Sequence, residues 1–126
     1  MNVLVDSSVW IAYFRGDETS SAIDLLISED NLVTNSLVLT ELIPSLLVRG
    51  ETDLVDLLKL IKTIPLEIDW DNLIEMQVSC YRNGINKVGI PDLMIAQQCM
   101  RSDLELFTLD KHFRLMSDVM DLALYG

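Results

Sequence analysis

Short apolar runs alternate with longer stretches of helical periodicity from one end of the chain to the other. That alternation predicts an α/β fold, a single domain whose parallel sheet of about five strands is flanked by helices on both faces. Residues 2–5 read as the first strand, which stops at Asp6, where Ser7 or Ser8 can cap a short helix through Phe14 that ends at Gly16. A second helix over residues 19–28 places Ile23, Leu26 and Ile27 on one side. Residues 32–34 give the second strand, and Asn35 and Ser36 are cap candidates for a helix toward Arg49, with Gly50 as its stop. Pro44 inside that helix predicts a kink or break just after Glu41, because proline has no N–H to give and its ring crowds the preceding turn.

Residues 52–62 give another helix with Leu54, Leu57, Leu58 and Ile61 facing inward, and residues 64–68 a third strand weakened by Pro65. Asp69 caps a long helix to about Asn83 that carries Trp70, Leu73, Ile74, Gln77 and Tyr81 along one side. A polar loop over residues 83–89 leads to Pro91 as the first residue of a helix through Arg101, with Asp92 in its first turn. Residues 105–109 form a fourth strand that stops at Asp110, residues 111–116 a short helix, and residues 121–124 a fifth strand.

The 126 residues suit one domain with a single core. With half the residues hydrophobic, only five glycines and three prolines, and no repeats, disorder and fibrous classes are excluded. Cys80 and Cys99 belong to no CxxC or Cys/His cluster and read as buried, reduced packing residues. No basic, apolar and small-residue series of a signal peptide opens the chain. The greasiest stretch, residues 37–48, is broken by Thr40, Glu41 and Pro44 and falls short of the ~20 residues that span a bilayer. A soluble cytoplasmic protein with no membrane association is therefore expected. The formal charge of −11 counts against a simple nucleic-acid-binding module, which presents Lys and Arg to phosphates.

Four acids need an explanation. Asp6 and Asp110 stand where strands leave the sheet, and in open parallel sheets ligands bind outside those carboxyl ends. Each also reads as a helix cap or turn residue. Glu41 interrupts a nearly continuous apolar run, where an acid is costly to bury without a partner, although an exposed helix face or a salt bridge would also accommodate it. Asp92 lies between Ile90 and the apolar run from Leu93 to Ala96, where it also favours the helix dipole. Held close in a dry cleft, such charges repel unless cations neutralise them, and a divalent metal resolves the conflict. Mg2+ prefers oxygen ligands and keeps several waters.

Competing chemistries lack their residues. His112 is the only histidine, which removes a two-histidine acid–base pair, a histidine-based zinc site and a Ser or Cys triad with a spare base. No GxxxxGK[ST] or GxGxxG turn is present to cradle a nucleotide.

Four motifs in series, LVDSSVWIAYFRG, VLTEL, GIPDLMIA and FTLDKHF, resemble those of the PIN-domain nucleases, most closely the VapC-type toxins of toxin–antitoxin pairs, and the likeness runs the full length. The resemblance implies Asp6, Glu41, Asp92 and Asp110 as metal-holding catalytic acids, with Ser7 or Ser8 supporting Asp6 by hydrogen bonds. It implies an acidic pocket for Mg2+ or Mn2+, endonucleolytic hydrolysis of RNA, a homodimer, and a cognate antitoxin whose tail enters the active-site groove. The net charge further suggests that this tail is basic. Many relatives carry an acid two residues beyond the fourth aspartate, where this chain has His112, so one or two ions remain open. Arg15, Lys87, Lys111, His112 and Arg114 lie near the acids in sequence and are candidate RNA phosphate contacts, each equally readable as solvated surface.

Two rivals stand beside this assignment. An aspartate-nucleophile phosphatase or phosphotransfer domain would use Asp6, but the acid that haloacid-dehalogenase-like phosphatases place two residues on is Ser8 here. A catalytically weak domain of the same fold would bind a partner without cutting.

Overall fold

The computed structural model describes residues 1–17 and 20–126. The elements run β1 (Val3–Val5), α1 (Ser7–Phe14), α2 (Ser20–Ser28), β2 (Leu32–Thr34), α3 (Ser36–Val48), α4 (Thr52–Leu60), β3 (Lys62–Thr63), α5 (Trp70–Arg82), α6 (Ile90–Arg101), β4 (Glu105–Phe107) and α7 (Lys111–Ser117). The start expected for the second helix, Thr19, lies outside the described residues.

Four strands pair in the order β3-β2-β1-β4, all parallel. Every residue of β1 and β2 is buried. Side chains alternate between the two faces of a strand, so continuous burial means that helices cover both. The chain builds outward from β1 through β2 to β3, then crosses to β4 on the other side of β1. That reversal makes a crevice at the carboxyl ends of β1 and β4, where open α/β sheets bind ligands. Asp6 and Asp110 leave the sheet there.

Several expected elements are corrected by local chemistry. The third strand is Lys62–Thr63, not residues 64–68. Ile64 still donates its N–H to the Thr34 carbonyl at 2.8 Å, but Pro65 has none to donate and pairing stops. The fifth strand is reduced to a single bridge in which Leu106 bonds Ala123 and Tyr125, each at 2.9 Å. Because β3 starts at Lys62, the helix before it ends sooner than expected, and Ile61 caps α4. Of its expected inward residues only Leu58 is fully buried, joined by Val55, while Leu54, Leu57 and Ile61 are half-buried.

α3 runs unbroken through Pro44, which corrects the expected break after Glu41. Pro44 and Thr40, whose carbonyl the missing N–H would have served, are both exposed, so water can satisfy that carbonyl. α6 begins one residue earlier than expected, at Ile90, with Gly89 as its cap. Trp70, Leu73, Ile74, Gln77 and Tyr81 do share a side of α5, but only Leu73 among them is buried; Met76 and Cys80 complete the inward face. On α2, Ile23 and Leu26 are buried and Ile27 is exposed. Cys80 and Cys99 are both free and buried.

Candidate active site

Asp6 follows β1 and caps α1, its Oδ1 accepting the backbone N–H groups of Ser8 at 2.9 Å and Val9 at 3.4 Å. Both of its oxygens are also held by hydroxyls. Ser8 Oγ donates to Oδ1 and Thr108 Oγ1 donates to Oδ2 at 2.6 Å. Each hydroxyl is itself oriented by the segment leaving β4. Leu109 N–H donates to Ser8 Oγ at 3.1 Å, and Asp110 N–H donates to Thr108 Oγ1 at 3.0 Å. These two relays lock the β1 and β4 exits together across the crevice. With 4 % of its surface exposed, Asp6 has its carboxyl pushed above the ordinary range by burial, against the opposing pull of its hydrogen bonds from Ser8, Thr108 and Val9.

Asp110 caps α7, its Oδ1 accepting the backbone N–H of His112 at 2.9 Å and lying 3.0 Å from His112 Nδ1. Capping and a place at the site thus coincide in both strand-end aspartates. His112 occupies the position where an acid was weighed, and it bonds Asp110 instead of adding a carboxylate.

Glu41 projects from α3 and accepts from Ser7 Oγ at 3.3 Å. The two serines therefore divide their work, Ser8 holding Asp6 and Ser7 holding Glu41. Glu41 is exposed overall, yet the protein on its pocket side raises its carboxyl above the ordinary range, first by desolvation and further by the charges of Asp92 and Asp6, with the Ser7 bond opposing. Asp92 stands in the first turn of α6, half-buried. Its carboxyl is raised by burial and by the charges of Asp110 and Asp6, while His112 and the Gly89 backbone lower it. Glu41 thus feels Asp92 and Asp6, and Asp92 feels Asp110 and Asp6. The buried Cys99 thiol, pushed up to about 12 by burial and then by Asp6, is inert.

Thr108 is the residue that sequence reasoning missed. Its signal is a hydroxyl two positions before the strand-end aspartate, in FTLD, but its role depends on a partner 102 positions away.

The candidate phosphate contacts are less gathered. His112 is bonded into the site, Lys111 adjoins it at the start of α7, and Arg114 lies in the last turn of α7. Lys87 sits in the loop before α6 with a left-handed φ of 66°. Arg15 caps the far end of α1, about 13.5 Å along the helix from Asp6.

The donor set is all oxygen, and a cation would offset the desolvation and the added repulsion that raise Glu41 and Asp92, so these residues suit a hard divalent ion. Among the described residues, no three His, Cys, Asp or Glu side chains stand close enough to ligate one ion directly. That spacing is compatible with Mg2+, which is typically held by one or two carboxylates with waters completing its shell.

No curated protein matches the chain in sequence. Among solved structures it is similar to VapBC2 from Rickettsia felis bound to a DNA fragment from its promoter, at 16% identity and a TM-score of 0.78, covering 99% of this chain and 98% of that one. It is also similar to VapBC-1 from nontypeable Haemophilus influenzae, at 17% identity and 0.74 over 100% and 98% of the two chains. FitAcB from Neisseria gonorrhoeae matches at 18% and 0.72 over 98% and 96%. At such identities the likeness is one of fold. The PIN domain family matches residues 3–119, nearly the whole sequence, and the chain belongs to that family.

Proposed function

We propose that the chain is a VapC-type toxin of a type II toxin–antitoxin pair, acting as a Mg2+- or Mn2+-dependent endoribonuclease at Asp6, Glu41, Asp92 and Asp110. PIN domains are generally nucleases that depend on divalent metal. The observation that carries the proposal is the placement of Asp6 and Asp110 at the sheet's switch point, joined by two hydroxyl relays, with Glu41 and Asp92 near enough that neighbouring carboxylates raise them further after desolvation has done so.

A bound divalent ion would supply a Lewis acid that eases deprotonation of water and steadies charge on the phosphate. Asp6, fixed on both oxygens, would hold such an ion at the carboxyl end of β1, and Asp92 and Glu41 would approach it from two helices. Asp110 would complete the acidic rim, oriented through its cap on α7. Lys111, His112, Arg114 and Lys87 would meet backbone phosphates, and Arg15 a more distant one.

The partner we infer is a small antitoxin whose basic tail inserts an Arg or Lys among the four acids. The net charge of −11 and the VapBC and FitAcB assemblies among the structural relatives support it. We also infer a homodimer through α5. There Trp70, Ile74, Val78 and Tyr81 are exposed and, with Ile90, line an apolar groove of about 350 Å³. Asp71 near one end of α5 and Arg82 at the other would face each other in an antiparallel pair. Among the described residues no helix is long and apolar enough to cross a membrane; the cytoplasmic location we propose rests on the toxin reading.

The wide spacing of the acids favours a second reading, a domain that binds its partner without cutting. Structured RNAs incubated with purified protein and Mg2+ or Mn2+ separate the two. Cleavage is expected that stops with chelator and in Asp6→Asn and Asp92→Asn; cutting that survives any of these overturns the carboxylate–metal mechanism.

A further inference from the structure

Glu41 and Asp92 ride on different helices that share little packing: α3 lies mainly against α1 and α4, and α6 against α5 and β4. A buried pair of amides bridges one helix to the other. Asn35 caps α3, its Oδ1 accepting Val38 N–H at 2.8 Å, and its Nδ2 donates to Gln98 Oε1 at 2.7 Å. Gln98, on α6, turns its own Nε2 to the carbonyls of Ile64 at 3.1 Å and Pro65 at 3.2 Å. Asn35 is fully buried and Gln98 is 6 % exposed, so solvent offers neither a substitute partner.

Glu41 lies six positions after Asn35, and Asp92 six positions before Gln98. Each acid is therefore about 9 Å along its helix from the amide pair. A hinge of about 10° at the pair would move an acid by about 1.6 Å, comparable to a metal–oxygen bond and far beyond the tolerance of Mg2+ coordination.

We propose that the Asn35–Gln98 pair is a positioning device that sets the separation of Glu41 and Asp92 and thereby the divalent-ion affinity of the site. This rests on the carboxylate–metal reading above. Gln98 also has a plainer task, satisfying the two carbonyls that Pro65 leaves beyond the end of β3. Substituting Asn35 separates the two roles. Serine caps helices well, so Asn35→Ser keeps the cap and Gln98's bonds to Ile64 and Pro65 while removing only the link between helices.

The test measures Mn2+ dissociation constants by isothermal titration calorimetry, at a temperature where circular dichroism shows every variant folded. It compares the unsubstituted chain, Asn35→Ser, Gln98→Met and Leu26→Ala, the last a core truncation on α2 that controls for general loss of stability. Asn35→Ser and Gln98→Met should weaken Mn2+ binding by about tenfold, the scale on which groups orienting metal ligands act, while Leu26→Ala stays within about twofold. Unchanged affinity in folded Asn35→Ser, or an equal loss in Leu26→Ala, overturns the proposal alone. Absence of Mn2+ binding by the unsubstituted chain overturns the metal reading and this proposal together. Should Gln98→Met fail to fold, Asn35→Ser decides.

Discussion

The acidic site has two unlike halves. Asp6 and Asp110 leave the sheet and are pinned at once, by caps, by hydroxyls and by the two relays that join the β1 and β4 exits. Glu41 and Asp92 stand on helices, and Glu41 has a single long bond from Ser7. The electrostatics divide the same way. Burial raises Asp6 and hydrogen bonds oppose it, with no neighbouring acid among the causes, whereas Glu41 and Asp92 are raised by burial and then by other carboxylates. The strand-borne half is preorganised by the fold. The helix-borne half is poised against its own charge and gains most from a cation.

That division is broken most forcefully by truncation. Asp6→Ala removes a helix cap, worth about 1 kcal/mol, and strips the Ser8 and Thr108 hydroxyls of their acceptor, a further ~1–2 kcal/mol. A fall in melting temperature of roughly 10 °C is expected in calorimetry, together with loss of RNA cleavage. Asp92→Ala should also stop cleavage but leave the metal-free melting temperature unchanged or higher, since it removes a repelled charge. Equal destabilisation by both would show that the halves are not different in kind.

A finer comparison deletes one hydroxyl from each half. Thr108→Val keeps the branched shape and leaves Asp6 Oδ2 and Asp110 N–H unpaired, and should destabilise by about 1–2 kcal/mol in urea unfolding. Ser7→Ala breaks only the 3.3 Å bond to Glu41 and should stay within about 0.5 kcal/mol. A loss in Ser7→Ala matching that of Thr108→Val would place Glu41 among the pinned acids.

The same division explains what could be read from the chain. Asp6 and Asp110 were legible because an apolar strand that stops at an acid carries its position in the local pattern. Glu41 was legible by contrast with its apolar neighbours. Thr108 was hidden, because a threonine in a strand looks like a strand former and only the register of β1 with β4 brings it to Asp6. The separate duties of Ser7 and Ser8 depend on where α3 passes, which periodicity does not say. Nor does periodicity say which apolar side of a helix the core will claim: α5 has two, and the core took Leu73, Met76 and Cys80 while Trp70 and Tyr81 face out. Gln97 and Gln98 are buried on backbone and amide partners that appear only after folding.

Acidity supplies the smallest effect and the most direct probe of the helix-borne half. Asp6, Glu41 and Asp92 have folded values raised above ordinary values of 3.8, 4.5 and 3.8. Between the ordinary and the raised value the folded chain binds more protons than the unfolded one, so stability must fall as pH rises through that window. The contribution is complete below about pH 4 and is lost above the raised values. Other carboxylates titrate nearby, so the informative quantity is the melting temperature of the unsubstituted chain minus that of Asp92→Asn. Without metal this difference should be more positive at pH 5 than at pH 7.5. Millimolar Mg2+ should reverse the trend, because the ion competes with protons for the same oxygens and binds best where they are ionised. A difference that ignores pH in both conditions would mean that Asp92 does not feel its acidic neighbours, and the contrast between pinned and poised acids would rest on hydrogen bonds alone.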